Sequence, residues 1–276
     1  MLVFATEQET TDGLNMSDVQ APFRVFWQPG CSSCVKVKEF LDKLGVPFVS
    51  VNILTNPAGL SDLQKLGPRN VPVVSQGARY TFAQSLSEVA AFVGKVVSLD
   101  RLPPEQLVER WLHILRNAAR YAAQVPAAHF GDEAVAGRPR SIGDLAYHIF
   151  EIPLAFLQTA QHGHEDWLAF ITNHAPPGVT MPGEVVVYGA GVVEALSDWW
   201  RTQSQKPMES FLRAPQRINC FSGPDAMWEF LERCTWHSAQ HTRQLVVILE
   251  RLGIRPDQPL TAADYAGLPM PEGLWT

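Results

Sequence analysis

The hydrophobic pattern of this chain changes near residue 100, and the change limits the fold more than any other feature. Before it, short apolar segments of strand length alternate with short helical patterns. After it, apolar residues recur at three- and four-residue spacing over much longer segments, and strand patterns almost disappear. We therefore predict a flexible tail at residues 1–21, an α/β domain at residues 22–97, a linker at residues 98–104 and an all-α domain at residues 105–276.

The N-terminal pattern predicts the order βαβαββα. Asn56-Pro57 supplies an N-cap followed by proline at the first helical position, and the segment from Ser85 to Glu88 is a capping box. The predicted strands are Phe23–Trp27, Pro47–Ile53, Val71–Ser75 and Ala78–Phe82, and the predicted helices are Ser32–Leu44, Asn56–Leu66 and Ser85–Gly94.

Long helical patterns fill the C-terminal region, and helices joined by loops predict an antiparallel four-helix bundle. The predicted helices are Pro104–Gln124, Ser141–Ala160, Glu184–Thr202 and Pro224–Leu252. Residues 162–183 form a long polar insertion between two of them, and long loops often carry function.

Composition excludes some classes of function. The net charge of −6 argues against a general nucleic-acid binder. No apolar stretch approaches the ~18–20 residues of a membrane span, and the N-terminal segment lacks the basic leading region of a signal peptide. We expect a cytoplasmic protein with no nucleic-acid and no membrane partner, and the sequence allows a homodimer.

Two cysteines, Cys31 and Cys34, lie where the first strand pattern becomes helical. The free N–H groups and the dipole of a helix N-terminus favour a thiolate, so we expect a lowered pKa for Cys31. At this spacing the second thiol can resolve a mixed disulfide formed by the first. A structural zinc site, which would need two more ligands, and a chemically inert pair are the alternatives. The pattern favours reversible redox exchange.

Residues 23–95 resemble a glutaredoxin of the thioredoxin superfamily. The matching pieces are the strand FRVFW, the CSSC loop entering a helix, and Asn70-Val71-Pro72 before a strand. The resemblance implies a cis peptide bond before Pro72 and pairing of the Val71 backbone with a glutathione-like thiol. Gln28 stands where the family usually has lysine, and residues 82–87 replace the glycine-rich, acidic turn that holds the glutathione tail in the family. The helix N-terminus at Ser85 could still bind a carboxylate of the thiol through its amides.

His237 and His241 are one helical turn apart on a face that is otherwise apolar. Two uncharged imidazoles inside a bundle need partners, and a divalent metal would satisfy both. His148, on the second long helix, is the best third ligand, with Glu151 and Asp144 available to orient the rings. Three histidines would leave coordination positions open, as catalytic metal sites do. Core histidines satisfied by ordinary hydrogen bonds are the alternative interpretation, and Cys234 could touch the metal.

Three arginines are candidates for holding a substrate carboxylate: Arg138, Arg140 and Arg243.

Residues from about 105 to 276 resemble the DinB-like metal-binding four-helix superfamily. The matching segments are 141–148, which ends in His148, 237–244, which contains the histidine pair, and 265–269 in the tail. The resemblance implies a divalent ion such as zinc, nickel or iron, and a low-molecular-weight thiol cofactor.

The two resemblances together predict a thiol–disulfide redox domain joined to a metal- and thiol-dependent S-transferase or isomerase that acts on an electrophilic small molecule, as in detoxification. The alternatives are a glutaredoxin with a non-catalytic metal-binding or docking bundle, and a metal-dependent hydrolase.

Overall fold

The structure is a computed structural model that describes residues 21–212 and 217–275. The tail predicted at residues 1–21 lies outside the described residues except for Ala21. We call residues 21–94 the α/β unit and residues 104–275 the helical unit.

The α/β unit has the predicted order of elements. They are β1 (Phe23–Trp27), α1 (Ser32–Lys43), β2 (Phe48–Asn52), α2 (Pro57–Leu66), β3 (Val73–Gln76), β4 (Arg79–Phe82) and α3 (Leu86–Phe92). The strands form one sheet in the order β2-β1-β3-β4, in which β1 pairs parallel with β2 and antiparallel with β3. This topology fits a thioredoxin-like fold.

Apolar cores cover both faces of this sheet because neighbouring strand residues point to opposite sides. Val25 and Val74 pack with Val37 and Leu41 of α1 on one face. On the other face, Phe26 and Val73 pack with Leu63 of α2. The sheet is therefore fixed on both sides, and β1 holds the loop that leads into α1.

The helical unit contains the four predicted long helices. Its elements are α4 (Pro104–Gln124), β5 (Glu133–Val135), β6 (Arg138–Ser141), α5 (Ile142–His162), α6 (Pro182–Gln203), α7 (Met208–Leu212), β7 (Arg217–Ile218), β8 (Phe221–Ser222) and α8 (Ala226–Arg251). Both α4 and α5 pack against α6 and α8. Large aromatic side chains fill the core, among them Trp111, Phe156 and Phe230. No helix in the described part of the chain is long and apolar enough to cross a membrane.

The hairpin β5–β6 corrects the expectation that strands almost disappear after the linker. Only Ala134 and Arg140 of its strand residues are buried, so it lacks the apolar alternation that marks a strand in sequence. Gly137 closes the turn at a φ of +78°, a conformation that side chains other than glycine rarely adopt. An arginine thus occupies the buried position of β6.

The two units pack closely against each other. The linker residue Arg101 lies 3.4 Å from the carboxylates of both Glu229 and Glu232 on α8. The Glu39 carboxylate of α1 accepts hydrogen bonds from the N–H groups of Glu272 and Gly273 at 2.8 and 2.7 Å. Arg101 therefore anchors the linker to α8, and Glu39 holds the C-terminal segment against the α/β unit.

Candidate active site between the two units

Cys31 and Cys34 form a disulfide at the start of α1. Cys31 is the N-cap of this helix, and its sulfur accepts a hydrogen bond from the Cys34 N–H at 3.2 Å. Cys34 is fully buried, whereas Cys31 is half-buried. Gly30 turns the chain at a φ of +69°, and Cys31, the next residue, lines the cavity between the two units. Cys31 is therefore the sulfur that an incoming molecule can reach.

The segment before β3 lies beside this disulfide. The peptide bond between Val71 and Pro72 is cis, as the resemblance implies. Val71 and Gln28 line the same cavity as Cys31, and Pro72 lines the groove that continues from it. Three of the four residues predicted to bind a thiol thus surround the approach to Cys31.

Ser85, the fourth predicted thiol-binding residue, is fully buried. It caps α3 by accepting from the Glu88 N–H, as predicted, and its hydroxyl donates to the Glu229 carboxylate at 2.8 Å. The Ser87 hydroxyl donates to the same carboxylate. The carboxylate expected at this helix N-terminus is therefore one of the chain's own, and Ser85 is not open to a thiol.

The three predicted histidines meet where α5 and α8 pack together. The Nε2 atom of His237 lies 3.3 Å from Nε2 of His148 and 3.1 Å from Nε2 of His241. Burial is the main cause that lowers the pKa of all three rings well below the usual 6.5, so the imidazoles are neutral at pH 7. Three neutral rings with converging nitrogens are a suitable donor set for a divalent ion.

In His148 and His241, the hydrogen bond made by Nδ1 determines which ring nitrogen carries the proton. The Nδ1 atom of His148 lies 2.6 Å from the Glu151 carboxylate, and Nδ1 of His241 lies 2.6 Å from Oε1 of Gln244. The Gln244 amide is oriented because its Nε2 donates to the Leu274 carbonyl at 2.9 Å. Both Nδ1 atoms are therefore the protonated ones, and both Nε2 atoms carry lone pairs.

Nitrogen lone pairs directed at one another repel unless a proton or a cation lies between them. Two nitrogens bound tetrahedrally at ~2.0–2.1 Å from a zinc ion would be about 3.3 Å apart, which is close to the observed spacing. The buried Nδ1 of His237 has no hydrogen-bond partner within the described residues. The residues present fit a three-histidine metal site.

Cys31 and the three histidines line one cavity of about 210 Å³. Cys31 and Ser33 lie on its α/β side, and all three histidines lie on its helical side. Trp167, from the predicted long insertion, covers part of it. Asp144 and Glu151 fix this insertion by accepting from backbone N–H groups of Ala175, Thr172 and Asn173. The insertion is thus a wall of the site.

Arginines supply the charge of this cavity. Arg138 donates to the Gly30 carbonyl at 2.9 Å, next to Cys31. Arg140 is buried, and its Nε and Nη2 atoms have no partner within the described residues. Burial, followed by repulsion from Arg138, lowers the pKa of Arg140 from 12.5 to about 9, so it stays charged at pH 7. The third predicted arginine, Arg243, lies elsewhere and binds the carbonyl of Pro271.

Sequence reasoning missed Arg233 and Gln84. Arg233 of α8 lies one turn before His237 and donates to the Gln84 side chain and to the Ser33 hydroxyl. Its position on the buried face of α8 was a usable signal, because an arginine there requires a partner. Cys234 is fully buried but does not line the cavity, so it is not placed to bind the ion together with the histidines.

Comparison with known families agrees with the geometry of the α/β unit. Residues 23–80 match the model of the glutaredoxin family. Residues 23–80 form a glutaredoxin domain. The Cys31–Cys34 disulfide lies within it. The match gives the α/β unit a thiol-redox character and does not extend to the helical unit.

Curated relatives match shorter parts of the chain. The chain is similar to the global transcriptional regulator Spx of Streptococcus pneumoniae strains R6 and TIGR4, with 45% identity over 42 residues, which are 15% of this chain and 32% of the regulator. The chain is also similar to the gene 56 protein of Mycobacterium phage L5, with 34% identity over 64 residues, 23% of this chain and 62% of that protein. The chain thus spans less than two thirds of each of these relatives. No solved structure matches it significantly.

Proposed function

We propose that this chain is a thiol-dependent enzyme with a divalent-metal site, in which the glutaredoxin domain and the helical unit act on the same low-molecular-weight thiol. One observation carries the proposal: Cys31 and the three histidines line a single cavity. Two separate activities would not require a common cavity. A thiol that enters it can meet both groups without leaving.

The helical unit would hold zinc, nickel or iron through Nε2 of His148, His237 and His241. The converging nitrogens and the resemblance to the DinB-like superfamily support this assignment. When bound, such an ion would act as a Lewis acid that lowers the pKa of a nearby thiol. Glu151 and Gln244 would keep the rings oriented by accepting their Nδ1–H groups.

The glutaredoxin domain would carry out thiol–disulfide exchange. In the reduced domain, the Cys31 thiolate attacks one sulfur of a substrate mixed disulfide, whose S–S bond breaks and whose other thiol leaves with a proton. Cys34 then attacks the Cys31 sulfur, releases the second thiol and forms the Cys31–Cys34 disulfide. Two electrons pass to the substrate. Two molecules of a thiol such as glutathione return them and leave as their own disulfide.

The helical unit would transfer the thiol to an electrophile, as an S-transferase or an isomerase does. In the transferase case a C–S bond forms, the bond to the leaving group breaks, and the thiol proton passes to solvent. Val71 and Gln28 would position the thiol, since both line the cavity beside Cys31.

Metal content, measured by elemental analysis, is the first test. We expect about one divalent ion per chain, lost in a His237→Ala, His241→Ala double variant. The same number should remain in a control with the exposed His162→Ala and His164→Ala changes. A native protein without metal, even after reconstitution with zinc, nickel or iron, would overturn the metal site.

Activity then separates the candidate reactions. Conjugation of glutathione to chlorodinitrobenzene should require both the thiol and the histidine pair. Reduction of the mixed disulfide of glutathione and 2-mercaptoethanol should require Cys31 and survive loss of the histidines. Ester hydrolysis that depends on metal and proceeds without thiol would show a hydrolase. Disulfide reduction alone, with metal bound, would show a glutaredoxin with a non-catalytic bundle.

A further inference from the structure

The cavity between the two units has an unusual charge balance. Within the described residues, four arginines line it, namely Arg69, Arg138, Arg140 and Arg233, and no aspartate or glutamate does. The neutral histidines add no charge. The nearest acidic groups, Glu151 and Asp144, are already bound to His148 and to the backbone of the insertion. The net charge of the described lining is therefore strongly positive.

Arg140 carries the unpartnered donors that point most clearly to an anionic ligand. Its side chain is on the buried position of β6, with a relative exposure of 5%. Nε and Nη2 lie on the same edge of the guanidinium and both lack a partner within the described residues. Buried N–H groups without hydrogen-bond partners destabilise a folded protein. This edge has the geometry that binds both oxygens of one carboxylate.

Arg233 offers a second donor. Its Nε and Nη2 bind Gln84, whereas its buried Nη1 has no partner within the described residues. It lies on α8, on a different element from Arg140, and both side chains line the same cavity. Two anionic groups on one molecule could therefore be bound at two points.

We propose that the cavity binds a small organic dianion, with one carboxylate on the free edge of Arg140 and the second near Arg233. The cavity of about 210 Å³ is far larger than the ~10–15 Å³ that holds one water molecule, so it has room for a compact dicarboxylate. Binding of the dianion by the two arginines does not require a metal ion. The further assignment, that such a dicarboxylate is the electrophile of the thiol transfer, rests on the proposed function.

Isothermal titration of the full-length protein with succinate tests the binding site, and acetate and inorganic phosphate serve as comparison ligands. We expect succinate to bind more tightly than either, and Arg140→Gln to weaken its binding about 10- to 100-fold, as expected for lost charge-assisted hydrogen bonds. Arg116→Gln, on the exposed face of α4, is the matched control and should leave binding unchanged.

Three results would overturn the proposal: unchanged succinate binding in Arg140→Gln, equal affinity for acetate, or phosphate binding as tight as that of succinate. The titration is run on chelator-treated and on zinc-loaded protein. Succinate binding that requires zinc and is unchanged in Arg140→Gln would show that the anion binds the metal. That result would refute the proposed arginine site. Because chelated protein should bind succinate even if no metal site exists, failure of the proposed function is distinguishable from failure of this inference.

A folding control keeps the experiment decisive. Arg140→Gln removes an unpaired buried charge, so its melting temperature without ligand should equal or exceed that of the native protein. If that variant is unfolded, Arg138→Gln and Arg140→Lys replace it. Arg140→Lys keeps the charge but loses the planar edge, so we expect intermediate affinity for succinate. Native affinity in both replacement variants would refute the assignment.

Discussion

Arg233 of α8 donates two hydrogen bonds to the Oε1 atom of Gln84, from Nε at 3.0 Å and from Nη2 at 2.7 Å. The same Nη2 lies 3.3 Å from the hydroxyl of Ser33, the residue before Cys34. His237 follows Arg233 by one helical turn on α8. One guanidinium therefore connects the helix that carries the redox pair with the helix that carries two of the histidines.

Loss of Gln84 should destabilise the protein. Arg233 is buried, and a Gln84→Ala change removes its main acceptor, so we expect the free energy of unfolding to fall by ~1–3 kcal/mol. Urea unfolding measures the change. Gln161→Ala, at an exposed position of α5, is the control. A double variant that adds Arg233→Met should recover part of the loss, because the unpaired charge is gone. Additive effects of the two changes would argue against the link.

Gln244 should tune metal affinity without binding the ion. Gln244→Met removes the acceptor of the His241 Nδ1–H, and we expect about tenfold weaker zinc binding. Competition with a chromophoric chelator measures the affinity, and Gln161→Met is the control. An affinity equal to that of the native protein would show that Gln244 does not orient His241.

Cys31 and Cys34 should differ in their reaction with oxidised glutathione when the other cysteine is replaced. Oxidised glutathione added to reduced Cys34→Ser protein should leave one glutathione attached to Cys31, because the resolving thiol is gone. Cys31→Ser should form little adduct because Cys34 is fully buried. Intact-mass spectrometry reads both results. Cys234 should not react in either variant, since burial raises its pKa to about 12. A stable adduct on Cys34 alone would reverse the assignment of the nucleophile.

Glu232 should make the stability depend on pH. Burial raises the pKa of this carboxyl from 4.5 to about 7, although Arg101 opposes the shift. The folded protein then binds the proton more tightly than the unfolded chain does. The associated stability is fully present below pH 4.5 and is lost as the pH rises to about 7.

A Glu232→Gln variant removes this contribution. We expect the variant to gain stability relative to the native protein between pH 4.5 and 7, by roughly 1–3 kcal/mol. Denaturant unfolding at pH 5 and pH 8 measures the difference. The exposed Glu109→Gln serves as the control. A difference that stays constant across this range would contradict the raised pKa.

Local patterns predicted the order of the secondary-structure elements well. The order of strands and helices in the α/β unit, the Ser141 cap of α5 and the one-turn spacing of His237 and His241 all follow from neighbours within a few residues. Such features need only periodicity and capping, which a single sequence displays.

Contacts between the units could not be predicted in this way. Gln84 and Arg233 are 149 residues apart in the chain, and no local sequence pattern around either residue indicates that the two are in contact. Arg140 reverses the usual pattern, because a charged residue takes the buried position of a strand. The hairpin was missed for the same reason. The shared cavity is a property of these long-range contacts, so it appeared only in the folded chain.

Glu229 of the helical unit binds the hydroxyls of Ser85 and Ser87 at the start of α3. It therefore competes with any ligand carboxylate for this position. Since Glu229 is tethered through the same chain, it faces the two hydroxyls at an effective concentration of about millimolar or higher. A free ligand with a carboxylate at this position must compete with Glu229 at that effective concentration. The glutaredoxin domain of this chain would then select its thiol by what fits beside Cys31, and hardly at all by the thiol's distal carboxylate.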